Sequence, residues 1–322
     1  MKKVSIVVPM YNEEEMAPLF FSEKFKIIDK LANYDFEVVV VNDGSKDNTL
    51  EILKQQQNKD KRVVIVNLSR NFGHEQALFA GLKSCSGDAI IPMDADLQDP
   101  PYLIEEMLKM YEQGYDVVNA KRSSRKKDSF FKKNTAKFFY KFIKKLSKKV
   151  KVPENVANFR LISRKALNEV LALKENNRVF RIQVPFVGFK TCEIYFPRPE
   201  RKKGESKYNI KSMFSLAISS IVSLSTTPLK WCIKWAIGLG IFTIVSSISL
   251  LVIFIVGICQ SWNLINNLFY VYMLIWLILN IVLFALTTIM VSLSIISIYM
   301  SKAVLETEGR PNVIIDEIIK KE

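Results

Sequence analysis

Three carboxylates and an amide lie within the six-residue segment Asp94-Ala95-Asp96-Leu97-Gln98-Asp99. Side-chain oxygens of this kind suit a hard divalent cation such as Mg²⁺ or Mn²⁺, which usually shares them with a phosphate. A lone Asp-x-Asp pair is most often a solvated turn. This segment, however, follows an apolar run typical of a buried strand and precedes a diproline that opens a helix. We therefore predict a divalent-cation site at this strand end.

Other catalytic chemistries lack the residues that they need. His74 is the only histidine, and no Ser–His or Cys–His pair is evident. Neither a glycine-rich phosphate loop of the nucleotide-hydrolase type nor a dinucleotide fingerprint follows the first strand. We expect His74 to begin or cap a helix. The chemistry that remains is a metal bound to substrate phosphates, where it neutralises charge on a leaving diphosphate.

The first 120 residues alternate apolar runs with amphipathic stretches, which predicts a mostly parallel sheet with helices on both faces. Ligands of such sheets bind beyond the carboxyl ends of the strands. Three polar clusters follow predicted strand ends, so we expect them to converge on one edge: 11–13, 42–45 and 94–99. Strands are predicted at 4–9, 36–41, 62–68, 89–93, 116–120 and 191–196, and helices at 14–31, 48–57, 74–83 and 101–113.

The net charge of +14 is concentrated in one basic segment. Residues 121–151 contain fourteen Lys or Arg and a single acid, Asp128. Such a block indicates a phosphate-rich partner, either nucleic acid or an anionic membrane surface. Phenylalanines recur in it at three- and four-residue spacing, which predicts a helix. That helix could lie in the plane of a membrane or pack its aromatic stripe on the domain, and both could hold.

Two long apolar stretches decide between these partners. No Lys, Arg, Asp, Glu or His lies between Lys234 and Lys302, and the stretches 236–258 and 268–298 each exceed the roughly 20 residues that cross a bilayer. We predict two transmembrane helices, an anionic membrane as partner and no nucleic acid. The flanking lysines place both termini and the catalytic domain in the cytoplasm of a multi-pass plasma-membrane protein.

Several motifs together resemble those of family 2 glycosyltransferases, which have the GT-A fold and use nucleotide-activated sugars. The resemblance narrows to polyprenyl-phosphate glycosyltransferases, the group that includes dolichyl-phosphate mannose synthases and bacterial bactoprenol glucosyltransferases. It covers essentially the whole chain, and the two predicted spans match the bacterial branch. The family motifs are 7–14, 41–49 and 94–101, and the narrower ones are 69–74, 158–161 and 201–208.

The resemblance implies a GT-A doubly wound, mostly parallel α/β sheet with interfacial amphipathic helices and two C-terminal transmembrane helices. It divides the chain into a cytoplasmic catalytic domain, a juxtamembrane helix region, the two spans and a cytoplasmic tail. A homo-oligomer is also plausible on family grounds. The corresponding bounds are 1–208, 209–230, 231–302 and 303–322.

The resemblance also implies roles for individual residues. The nucleoside pocket would be lined by Pro9, Tyr11, Glu13 and Asp43, next to Asp94. Tyr11 could stack on the base, and Asp43 could accept hydrogen bonds from base or ribose. Alternatively, Pro9 and Asp43 serve only turns.

Other positions concern the phosphates. Asp94 and Asp96, with Gln98 nearby, would bind Mg²⁺ or Mn²⁺ and the donor diphosphate, Asp96 most directly. Basic side chains would meet the acceptor phosphate or the donor diphosphate: Arg122, Arg201 and Lys207. The expected catalytic set is Asp94, Asp96, Arg122 and Arg201, although Arg122 could be one more member of the basic segment.

One position departs from the family pattern. Related enzymes commonly have Asp-Phe-Arg-Leu where this chain has Asn158-Phe159-Arg160-Leu161. An amide cannot take a proton at neutral pH, which puts a protein base at this position in doubt. A phosphate monoester has a second pKa near 6, so the acceptor is already an anionic nucleophile. We expect direct in-line attack with inversion, and a hydrogen-bonding or purely structural role for Asn158.

The expected function is inverting transfer of a hexose from a UDP- or GDP-linked donor to a polyprenyl phosphate, in particular undecaprenyl phosphate, at the cytoplasmic membrane face. Two alternatives remain open. The protein could glycosylate another lipid or glycan acceptor, or it could be a non-catalytic membrane scaffold that binds nucleotide sugars.

Overall fold

The structure, a computed structural model, describes residues 1–122, 156–173, 178–196 and 264–321, with scattered positions between 232 and 252. The chain divides into two compact units. The first comprises Met1–Ser212 and Arg310–Glu322, and the second comprises Met213–Gly309.

The first unit alternates strands and helices as the sequence predicts. Its strands are β1 Lys2–Met10, β2 Tyr34–Asn42, β3 Val63–Leu68, β4 Ala89–Pro92, β5 Val117–Arg122, β6 Val156–Ser163, β7 Thr191–Phe196 and β8 Ile315–Ile319. Its helices are α1 Met16–Ile28, α2 Thr49–Lys59, α3 His74–Ser84, α4 Leu103–Glu112, α5 Arg164–Ala172 and α6 Phe180–Val187. Ser163 Oγ accepts a hydrogen bond from Ala166 N at 3.2 Å and caps α5.

The eight strands form one mixed sheet in the order β7-β5-β6-β4-β1-β2-β3-β8. The central strands β4, β1, β2 and β3 are parallel, as is the β5–β7 pair. β6 runs antiparallel to both of its neighbours, and β8 runs antiparallel to β3. Because β1 lies between β2 and β4, the winding direction reverses there, and ligands of α/β sheets bind at such a switch point.

Apolar side chains on alternate positions of the central strands explain why helices cover both faces. Val4, Ile6 and Val8 pack in one buried cluster with residues of α1 and α4. Val7, Val39 and Val41 belong to the other cluster, which includes residues of α3. A Cβ at Gly81 of α3 would lie 2.5 Å from Val7 Cγ1, so this helix needs glycine to approach the sheet. The expected two-faced α/β core is confirmed.

Two strands lie where the sequence analysis predicted none. β6 contains the Asn158-Phe159-Arg160-Leu161 motif, and β8 lies in the segment expected as a tail. β8 is joined to the β3 edge by backbone pairing, by a hydrogen bond from Asn67 Nδ2 to Asp316 Oδ2 at 3.2 Å, and by a Lys54–Glu317 ion pair at 3.9 Å. Residues 315–319 are therefore part of the main sheet.

In the described part of the second unit, a long apolar helix, α7, runs over Leu264–Thr307. It extends beyond the predicted span 268–298 at both ends. Its segment Leu274–Ser301 has mean hydropathy 2.6 and most of its described side chains are at least partly exposed, so by length and composition it could cross a membrane. The other predicted span, 236–258, is described only in part, with a shorter apolar helix at Ile237–Ser246. Most of the basic segment 121–151 and the region 209–230 lie outside the described residues. Two transmembrane helices and a multi-pass topology are thus not confirmed.

Candidate active site

The acidic loop, residues 94–99, follows β4 directly and is folded by one of its own carboxylates. Asp99 is only 2% exposed, and its Oδ2 accepts a hydrogen bond from Asp94 N at 3.1 Å. Asp96 Oδ1 accepts one from Gln98 N at 3.1 Å, and Leu97 adopts a left-handed φ of 58° at the bend. Asp99 therefore maintains the loop, while the side chains of Asp94 and Asp96 remain partly exposed.

A buried lysine lies against this loop. Lys24 on α1 is 1% exposed, and its Nζ donates a hydrogen bond to the backbone oxygen of Asp99 at 2.7 Å. Burial lowers the pKa of Lys24 to about 8, although the negative charges of Asp99 and Asp96 oppose this shift. Lys24 is not among the predicted site residues. Its position indicates a buried role, because Lys24 lies on the apolar stripe of α1 between Phe20 and Ile28.

The loop after β2 is held to the loop after β3 through Asp43. Asp43 is 2% exposed, and its two carboxylate oxygens accept hydrogen bonds from Phe72 N at 2.7 Å and Gly73 N at 3.0 Å. Burial raises the pKa of Asp43 in spite of these two bonds. Gly44 has φ 61°, and a Cβ there would lie 2.3 Å from the backbone carbon of Arg70. Asp43 thus organises a turn, and its predicted contact with the nucleoside is not tested.

The loop after β1 is tied to the same region. Asn12, which has a left-handed φ of 53°, donates from its backbone N to Ser45 Oγ at 3.0 Å and accepts from Lys46 N at 2.9 Å. Pro9 is buried in β1, whereas Tyr11 and Glu13 are partly exposed. The expected convergence of the three polar clusters on one sheet edge is supported by these contacts and by the adjacency of β1, β2 and β4.

His74 begins α3, as expected, but it also contacts the acidic loop. Its Nε2 lies 3.5 Å from Asp94 Oδ1 and 3.4 Å from Asn158 Nδ2 on β6. The imidazole therefore bridges the ends of two strands. His74 is not among the predicted site residues, although its position soon after a predicted strand end indicates that it lies near the same edge of the sheet.

The structure describes little of the basic residues that the sequence predicts for the site. Arg122 is the last residue of β5 and lies opposite Phe196 of β7 in the strand register. Its side chain lies outside the part of the chain that the structure describes. Arg201 and Lys207 lie outside the described residues. Their assignment to phosphate binding therefore stays a prediction.

The acidic loop fits a cation that completes its shell with substrate oxygens. Among the described residues, no group of three or more His, Cys, Asp or Glu is placed to hold a metal ion alone. Mg²⁺ is typically bound by one or two carboxylates together with substrate phosphates and water. Asp94 and Asp96 match that requirement. Gln98 is only 6% exposed, so the geometry favours the two aspartates over Gln98 as ligands.

The family model described as Glycosyl transferase family 2 matches residues 5–171. Over 226 residues the chain is 43% identical to the uncharacterized glycosyltransferase YkcC of Bacillus subtilis, with 70% of this chain and 69% of that protein covered.

Two relatives match over nearly their whole length. The chain is 36% identical over 325 residues to a prophage bactoprenol glucosyl transferase homolog of Escherichia coli, with 99% of this chain and 100% of that protein covered. It is 37% identical over 320 residues to the bactoprenol glucosyl transferase of Shigella phage SfX, with 97% and 98% covered.

Proposed function

This chain belongs to glycosyl transferase family 2, and from that premise we propose that it transfers a hexose from a nucleotide sugar to a polyprenyl phosphate. The observation that carries the proposal is the acidic loop at the switch point of the sheet. There, the partly exposed Asp94 and Asp96 are held in place by the buried Asp99 and Lys24. The names of the two full-length relatives support bactoprenol, a polyprenol, as the lipid of the acceptor.

Asp94 and Asp96 would hold Mg²⁺ or Mn²⁺, with Asp96 the more direct ligand. When bound, the cation would neutralise charge on the departing nucleoside diphosphate. Asp99 and Lys24 keep the loop in shape before donor arrives, which spares the cost of ordering it during the reaction. Tyr11, Glu13 and Asp43 would contact the nucleoside from the loops after β1 and β2.

The acceptor phosphate would attack the anomeric carbon without help from a protein base, with inversion. At neutral pH a phosphate monoester is already largely a dianion, since its second pKa is near 6. Arg122, Arg201 and Lys207 would attract this phosphate. Asn158 then needs no proton-accepting group.

Two spans are proposed for the membrane segment, because β8 restricts how the chain can cross a bilayer. β8 pairs with β3, so residues before 212 and after 310 belong to one folded unit on one side of any membrane. A chain that leaves this unit and returns to it crosses the bilayer an even number of times. If α7 is one span, the apolar stretch 236–258 is the natural second one.

One experiment separates this function from its alternatives. The full chain in lipid nanodiscs is incubated with labelled UDP- and GDP-hexoses, Mg²⁺ or Mn²⁺, and, in separate reactions, undecaprenyl phosphate or diacylglycerol as acceptor. We expect an acid-labile lipid-phosphate sugar, and its absence with every donor would refute the proposal. A glycolipid formed only with diacylglycerol would support the other-acceptor alternative. Binding of UDP without turnover would support the scaffold.

A further inference from the structure

Glu75, in the first turn of α3, connects three elements beside the acidic loop. Its Oε2 accepts a hydrogen bond from Phe180 N at the start of α6, at 3.0 Å. Its Oε1 lies 3.5 Å from Asn158 Nδ2 on β6. A carboxylate is favourable in this turn because the amino end of a helix is electropositive. Glu75 therefore ties the α3 end that carries His74 to β6 and α6.

A buried cation explains why the charge is at position 75. Arg160, two residues after Asn158 on β6, is completely buried, and its guanidinium carbon lies 5.4 Å from the centre of the Phe180 ring. Burial lowers the pKa of Arg160 to about 10, and the negative charge of Glu75 opposes that shift. The negative charge of Glu75 thus partly compensates the buried positive charge of Arg160.

The surroundings of Asn158 suit an amide and disfavour a carboxylate. Its Nδ2 faces both Glu75 Oε1 and His74 Nε2. Its Oδ1 is buried and accepts no hydrogen bond from the part of the chain that the structure describes. An aspartate at 158 would keep that buried oxygen without a donor. It would also place its other oxygen about 3.5 Å from the Glu75 carboxylate, where like charges repel.

We propose that Glu75 and Asn158 form a positioning pair, in which Glu75 carries the charge and Asn158 must be neutral. The pair fixes the His74 end of α3 against β6, and so fixes the wall of the site next to Asp94. This inference rests on the proposed function and deepens it: Asn158 is a neutral donor that orders the site, and it is not a defective base.

A charge swap tests the pair. The four full-length proteins are wild type, Asn158→Asp, Glu75→Gln and the double variant, which moves the carboxylate from position 75 to position 158. We expect Asn158→Asp to lower kcat roughly tenfold, with donor KM changed less than about threefold, since the nucleoside loops lie on other strands. Glu75→Gln also loses activity, because Arg160 loses its carboxylate. The swap returns to within about threefold of wild type.

A matched pair on an exposed helix controls for charge alone. Asn168→Asp and Glu169→Gln on α5 change the same residue types at exposed positions and should act additively, with kcat unchanged. The proposal is overturned if Asn158→Asp equals or exceeds wild type. It is also overturned if the swap is no better than the product of the two single variants.

Thermal unfolding and binding of UDP with Mn²⁺ are measured on the same proteins. If wild type transfers no sugar to any acceptor, the proposed function fails, and recovery of the unfolding temperature in the swap still supports the pair. If Asn158→Asp cannot be purified folded, the swap decides. A folded swap supports the pair, and a swap that also fails to fold overturns it.

Discussion

The two ends of the sheet hold carboxylates in opposite surroundings. At the amino end, Glu37 receives hydrogen bonds from Ser5 Oγ, Ser86 N and Ser86 Oγ, and its Oε2 lies 3.0 Å from Lys3 Nζ. At the carboxyl end, the Asp94 side chain is 40% exposed, and its Oδ1 lies 3.5 Å from Nε2 of His74. Where the chain itself supplies the donors, the carboxylate stabilises the fold. Where it leaves a carboxylate exposed at a switch point, a ligand can supply the counter-charge.

The largest effect on activity should come from a substitution in the acidic loop, at the carboxyl end of the sheet. Asp96→Ala is expected to lower sugar transfer by about 10²–10³-fold, the range for losing one preorganised electrostatic contact in a transition state. The unfolding temperature should change by less than about 2 °C, because this side chain is partly exposed. Initial rates and thermal unfolding measure the two quantities. Asp35→Ala, at an exposed position near the amino end of β2, is the control. Retained activity in Asp96→Ala would contradict the metal assignment.

The opposite pattern is expected at the buried end. Glu37→Gln should destabilise the protein by about 2–3 kcal/mol, because an amide cannot accept all of the hydrogen bonds and leaves Lys3 without its ion pair. The activity of the folded fraction should stay near wild type. Unfolding by denaturant measures the loss, with Glu51→Gln at an exposed position as control. A Glu37→Gln protein that is stable but inactive would contradict the conclusion that Glu37 serves stability and not activity.

A substitution of Lys24 tests whether the acidic loop, at the carboxyl end of the sheet, depends on this buried lysine. Lys24→Met removes the donor to the Asp99 carbonyl and should lower activity roughly tenfold, the scale of a lost charged hydrogen bond. Lys24→Arg should recover part of it. Lys26→Met, on the exposed face of the same helix, should have no effect. The relevant measurement is the rate as a function of Mn²⁺ concentration. Equal rates in Lys24→Met and wild type would show that the acidic loop holds its shape unaided.

The smallest effect is a pH dependence. Burial raises the pKa of Glu37, but hydrogen bonds from Ser5, Ser86 and Lys3 outweigh burial and hold it below its usual 4.5. A carboxyl group whose pKa is lowered by folding stabilises the folded state above its unfolded pKa, and this stability is lost as pH falls through the folded pKa. The difference in unfolding temperature between wild type and Glu37→Gln should therefore shrink below about pH 4.5. A difference that is constant or grows toward acid pH would contradict this assignment.

The central fold could be predicted because its signals are local. The strands β1 to β4 are short apolar runs bounded by polar clusters, and α1 to α4 have amphipathic spacing. β6 was missed because Asn158 and a fully buried Arg160 interrupt its apolar pattern, and those residues are explained only by partners on α3 and α6. β8 was missed because a five-residue strand far along the chain gives no sign of its partner.

Part of the candidate site could also be predicted from the sequence. The acidic loop and its place at a strand end followed from residue type and position. The contact between His74 and Asp94 did not, since it depends on how the β3 loop is folded back by Asp43. Lys24 could not be predicted as a site residue either, because a hydrogen bond to a backbone carbonyl 75 residues away has no sequence signature.

The pairing of β8 with β3 also sets an order for biosynthesis. Asn67 and Asp316, which join the two strands, are 249 residues apart in the chain. During translation the β3 edge has no β8 partner until residues 315–319 leave the ribosome, after the apolar helix α7 has been made. An unpaired strand edge can pair with other chains. The nascent chain is thus most prone to aggregation while its apolar segment is being made, and β8 closes that edge afterwards.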